Sequence, residues 1–148
     1  DEPLHKLVFG GYNRKVEHPR TEFDWLTRDA RIVDAYIAHP MCGFTETTGL
    51  LRDLMTGIRH IEKPESLAAM RKELPVFFIA GGDDPVGNYG KGVRQSADAF
   101  RKAGMTDVSV HIYPLCRHEI LNEINREEVY GDILQWLSSH MKKSSPTA

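Results

Sequence analysis

The chain has 148 residues, 41% apolar and 27% charged, with a formal net charge of −2. That is the length of one ordinary domain and the composition of a globular fold rather than a disordered chain. Dispersed lysines and arginines argue against nucleic acid or an anionic membrane as the main partner, and no apolar run reaches the ~18 residues of a membrane-spanning helix.

In chain order, residues 1–73 read as helices and loops without a strand. Arg28 to Ile37 reads as a helix with Ile32, Ala35 and Tyr36 on one side. His39-Pro40-Met41-Cys42-Gly43-Phe44 reads as a loop. Thr47 or Thr48 is placed to cap the next helix, whose Leu50, Leu54, Ile58 and Ile61 recur at helical spacing, with Leu51 and Met55 widening the face. A short helix is expected after Pro64, over Ser66 to Lys72. Residues 74–141 read as strand, helix, strand, helix. Val76-Phe77-Phe78-Ile79-Ala80 is a continuous apolar run, the mark of a strand covered on both faces. A helix follows over Lys91 to Lys102, turning Val93, Ala97 and Phe100 inward, with Gly104 past its end. Val108 to Tyr113 is a second strand. A last helix spans Arg126 to Met141, with a capping-box-like Asn125 and Glu128 and an apolar stripe of Val129, Ile133, Leu137 and Met141. The tail over 142–148 reads as disordered.

Strand, helix, strand over 76–113 is a βαβ unit of a parallel sheet. Two parallel strands are too small a sheet to stand alone, so further strands are expected from elsewhere. In open α/β sheets ligands sit beyond the carboxyl ends of the strands. Two loops leave there, Gly81 to Gly87 and Pro114 to Glu119. They carry Asp84 and His118, a carboxylate and an imidazole expected within hydrogen-bonding reach at that edge. Such a pair is the acid–base half of a nucleophilic triad, in which histidine takes the proton of a serine hydroxyl and aspartate holds the histidine. The order Asp before His is the one that α/β-hydrolases use.

The residues Leu74 to Gly87, Tyr113 to Glu123, Phe23 to Asp29 and Pro40 to Phe44 carry a resemblance. The chain resembles the lysophospholipase and monoacylglycerol lipase-like α/β-hydrolases, grouped with the serine aminopeptidase S33 domain. The resemblance implies an α/β fold of which this chain is the C-terminal portion, a helical cap over 1–73 followed by a β-α-β-α unit over 74–141. It places the family's acid on Asp84, which precedes Pro85-Val86, rather than on Asp83, and its histidine on His118. It implies a serine hydrolase of carboxylic, lipid-like esters that needs no cofactor, with a small-molecule ester as substrate. One element of the family pattern is absent. None of the serines at 66, 96, 109, 138, 139, 144 and 145 lies in Gly-x-Ser-x-Gly, and no oxyanion-hole segment is recognisable. The chain alone is therefore expected to be inactive, and to pair either with the N-terminal half of the same hydrolase, as a nicked enzyme, or with another copy.

The remaining polar and aromatic residues read more plainly. Asp83 is expected to be a solvated loop carboxylate, His111 structural, and Arg117 and Glu119 surface ion pairs rather than supports of the His118 loop. Trp25, Phe44 and Met41 are read as core, with lining of an acyl pocket as the alternative. Gly82 and Gly87 have phosphate-loop spacing, but Asn88-Tyr89 replaces the Lys-Ser/Thr pair. Gly90-Lys91-Gly92 begins a dinucleotide fingerprint that fails at Gln95. Cys116 with His118 offers too few ligands for structural zinc, and no metal is expected. Cys42 and Cys116 form no Cys-x-x-Cys pair, no signal peptide is apparent, and a cytoplasmic setting with no membrane insertion is expected. The start on Asp1 rather than Met is expected to follow a cut. The rival to the enzyme is a non-catalytic α/β binding or assembly module on a hydrolase scaffold. It needs no serine, but leaves the Asp84 and His118 pair without a purpose.

Overall fold

The computed structural model describes residues 2–141, so the tail reading over 142–148 lies outside the described residues. The elements in chain order are α1 (Glu2–Phe9), α2 (Ala30–Ala38), α3 (Thr48–Ile61), α4 (Pro64–Ala68), β1 (Val76–Gly81), α5 (Lys91–Lys102), β2 (Val108–Tyr113) and α6 (Arg126–His140). Short 3-10 turns lie at Tyr12–Lys15 and Ile120–Asn122. Helix α1 and the turn after it have no counterpart in the sequence reading.

The two strands pair in parallel, with Val76 opposite Val108 and Gly81 opposite Tyr113. They are the only strands among the described residues. Helix α5 crosses between them and buries Ala97 completely. Phe100 of α5 meets Phe78 of β1 edge-on, with ring centroids 5.0 Å apart. Strand β1 is apolar from Val76 to Ala80, as suits a strand with covering layers on both faces, whereas β2 alternates Val108, Val110 and Ile112 with Ser109 and the exposed His111.

Helix starts follow local chemistry. Asp29 caps α2 by accepting from Arg31 N at 3.1 Å. Thr47 rather than Thr48 caps α3, its hydroxyl oxygen accepting from Leu50 N at 3.1 Å. These polar side chains satisfy backbone N–H groups that have no partner within the helix. Proline opens α4, where no N–H is required of it.

Two helix faces depart from expectation. In α2 the fully buried residue is Val33, flanked by the half-buried Ile32 and Tyr36, while Ala35 is exposed. In α6 the inward stripe is Val129, Ile133, Trp136 and His140, and Leu137 and Met141 lie exposed. The large Trp136 ring draws the helix round: it stacks on Phe77 at 5.4 Å and donates to Ser109 Oγ at 3.1 Å. The capping box is also absent. The Asn125 amide donates to Glu128 Oε2 and its oxygen accepts from Arg28, so it makes no bond to the helix backbone.

Much apolar surface remains in the open. Leu50, Leu54, Met55 and Ile61 of α3 and Leu134 of α6 are all exposed. A cavity of about 460 Å³ lies between the end of α3, α4, β1 and α5, lined by Ile61, Leu67, Met70, Phe78 and Phe100.

Candidate active site

Because Gly81 and Tyr113 are in register, both strands end at the same edge and their loops start side by side. Backbone bonds then tie the loops together: Gly82 N donates to Tyr113 O at 2.8 Å and Asp83 N to Cys116 O at 2.9 Å. Gly81 is required at this crossing. A Cβ there would collide with the carbonyl oxygens of Cys116 and Arg117. Gly81→Ala is accordingly expected to destabilise the fold by about 1–3 kcal/mol through overpacking. It would be read as a lower urea midpoint, and an unchanged midpoint would show that the loop yields freely.

The first loop aims Asp84 inward. Asn88, Tyr89 and Gly90 are all left-handed in succession and reverse the chain, and Tyr89 N donates to Asp84 O at 2.8 Å. Asp84 is 6% exposed, and its Oδ1 accepts from Val86 N at 2.8 Å in an Asx turn. The same oxygen lies 3.1 Å from His118 Nδ1. A carboxylate can only accept, so the imidazole carries its proton on Nδ1 and Nε2 is left as the basic nitrogen. The His118 side chain is 37% exposed. Its pKa is raised above the ordinary value, chiefly by the hydrogen bond it donates to Asp84 and further by that carboxylate's charge, against the opposing effect of burial. Asp83, one residue away, is exposed, and His111 packs against Tyr113 on β2.

The second loop is held from the other side by residues 24–29. His118 N donates to Trp25 O at 3.3 Å and Glu119 N to Leu26 O at 2.7 Å. The Trp25 ring lies against the imidazole, with centroids 5.2 Å apart. Arg117 corrects its expected role. Its guanidinium donates to Asp24 O at 2.6 Å and Thr27 O at 3.1 Å, so it ties the loop to this segment instead of forming a surface ion pair. Glu119 accepts from the Asn122 amide at 2.7 Å. The arginine spans two buried backbone carbonyls because its several donors can reach both at once.

Trp25 also lines a second cavity, of about 360 Å³, with Phe9, Phe23, Tyr36 and Phe44 and with the His5–Glu46 pair on its wall. Tyr12 stands edge-on to Trp25 at 4.8 Å. Its hydroxyl pKa is raised, first by burial and then by the Asp84 charge. Met41, exposed at 74%, does not line the cavity, and Phe44 is exposed too, so neither belongs to the core. Among the described residues no group of three or more His, Cys, Asp or Glu side chains could hold a metal ion. Nor is any helix there long and apolar enough to cross a membrane.

A family model described as serine aminopeptidase, S33, matches residues 4–125. The chain belongs to this family. Over 121 residues the S33 chain is 28% identical to a monoacylglycerol lipase of Mycolicibacterium smegmatis, covering 80% of this chain and 40% of that protein. It superposes on a highly thermostable carboxyl esterase from Bacillus coagulans, solved in complex with glycerol, with a TM-score of 0.84 and 29% identity, covering 94% of this chain and 46% of that one. A lipase in its open form gives a TM-score of 0.73 at 27% identity, covering 93% of this chain and 45% of that one. The fold is thus that of part of an α/β-hydrolase, and the chain spans less than half the length of these relatives.

Proposed function

We propose that this S33 chain supplies the acid–base half of a serine hydrolase that cleaves carboxylic esters, lipid-like esters in particular. The observation that carries the reading is the 3.1 Å contact between His118 Nδ1 and Asp84 Oδ1 at adjacent ends of parallel strands. The similarity to a monoacylglycerol lipase and to esterases supports the choice of esters.

In this reading a serine hydroxyl outside the chain gives its proton to His118 Nε2 and attacks the ester carbonyl. Asp84 stabilises the imidazolium so formed, and His118 returns the proton to the departing alcohol. Water then repeats the cycle on the acyl-enzyme, and no cofactor takes part. Residues before β1 act as the cap, and the cavity beside Trp25 holds part of the substrate away from water. The serine comes from the rest of the hydrolase fold, which also covers the free edge of β1 and the exposed apolar residues of α3 and α6.

The test is ester hydrolysis by two preparations, the complete hydrolase and the 148-residue chain by itself. The complete protein is expected to hydrolyse a short p-nitrophenyl ester and the chain alone to give only the buffer rate. Turnover by the chain alone, or none by the complete protein on any acyl ester, would overturn the reading.

A further inference from the structure

The mechanism above leaves one fully buried carboxylate without a role. Glu123 is 0% exposed. Taking a carboxylate out of water is expensive unless it is paired and hydrogen-bonded. Glu123 is both. Its Oε1 accepts from Arg117 N at 2.8 Å and Arg28 N at 3.3 Å, and its Oε2 accepts from Arg28 Nε at 2.9 Å and Ile124 N at 3.1 Å. The same guanidinium continues to Asn125 Oδ1 at 2.6 Å and Cys116 Sγ at 3.5 Å. Nearby, Thr27 Oγ1 donates to Asn122 O at 2.9 Å.

A buried ion pair is weak evidence for net stability, because desolvation offsets most of its attraction. Its geometry suggests a different use. One arm grips the backbone N–H directly before His118, and the other grips the segment whose Trp25 and Leu26 carbonyls receive the N–H groups of His118 and Glu119. Both sides of the histidine are thus referred to a single ionic anchor.

We propose that Glu123, through Arg28, is a positioning residue that fixes the His118 loop so that the imidazole meets Asp84. The proposal rests on the hydrolase reading for its catalytic consequence and on geometry alone for its structural one. Glu123→Gln keeps the size and removes the charge, leaving the Arg28 guanidinium uncompensated and the loop loose. A displacement of about 1 Å at a reacting group costs about a hundredfold in rate.

In the complete hydrolase, Glu123→Gln is expected to lower kcat by up to about a hundredfold with KM for a short soluble ester unchanged. The low-field proton resonance of His118 Nδ1–H, identified by its loss in His118→Ala, is expected to shift or broaden. A folded Glu123→Gln protein with either kcat or that resonance unchanged overturns the proposal, even if its Tm falls. If His118→Ala retains turnover, the hydrolase reading fails, and the resonance alone then decides whether the clamp positions the ring. Should Glu123→Gln not fold, Arg28→Lys keeps the charge, removes the forked contact and carries the same expectations.

Discussion

Replacing His118 by alanine in the complete hydrolase is expected to lower kcat by about 10⁴- to 10⁶-fold, with KM little changed. The reason lies in the division of labour on one ring. Nδ1 lies 3.1 Å from Asp84, and in the proposed mechanism Nε2 is then the nitrogen that handles protons on the substrate side. His111 is no substitute, since it lies on β2 against Tyr113. The substitution should leave the fold intact, because the backbone bond from residue 118 to Trp25 O survives and the lost side chain is partly exposed. Steady-state kinetics on a p-nitrophenyl ester with a matched thermal melt would check this. Turnover within tenfold of the parent enzyme would remove His118 from the reaction.

Asp84→Asn is expected to lower kcat by about 10⁴-fold, and also to move the pH profile. The amide keeps the size but not the charge. It cannot stabilise the imidazolium, and an NH₂ turned toward the ring would impose the other tautomer. The sign of the pH effect follows from the cause of the raised pKa of His118, which is first the Asp84 hydrogen bond. With that pKa raised, His118 as the proposed base is freed only above the ordinary imidazole value, and the acidic limb of kcat/KM is expected above it. Without the carboxylate the imidazole gives up its proton at lower pH, and the limb of the residual activity moves to the acid side. The groups acting on this titration are Asp84, Glu119 and the surrounding burial. A limb that stays in place, or moves to higher pH, would contradict the assignment of Asp84 as the partner of His118.

How far these residues could be read in the chain depends on the range of the forces involved. Strand β1 was legible because five successive apolar residues, Val76 to Ala80, closed by two glycines are the mark of a doubly covered strand. The Asp84–His118 contact was legible because parallel pairing brings consecutive strand ends together, and because the family resemblance singled out Asp84 over Asp83 and placed the histidine on His118. The clamp was not. Arg28 and Glu123 are separated by 95 positions, and an isolated arginine and glutamate have no periodicity to betray them. What could have pointed to them is placement, since Glu123 follows His118 within one turn-rich loop and Arg28 sits in a segment already singled out. The α6 stripe was misjudged because Leu137 and Met141 continue an i, i+4 row that Trp136 overrides by its size. The open face of α3 marks a limit of another kind, for periodicity tells that a face is apolar but not what covers it.

The anchoring of His118 to residues 24–29 has a practical corollary for anyone wishing to re-engineer this fold. Substrate range in such enzymes is an obvious target for swapping the lid between homologues, and residue 73 looks like a natural cut. A chimera cut there would bring a foreign 24–29 segment beneath the histidine, which would have to supply both carbonyls for residues 118 and 119 and an arginine for Glu123. Transplants should therefore leave that short stretch with its native host and exchange only what lies outside it, or the imported segment would unseat His118 from its place beside Asp84.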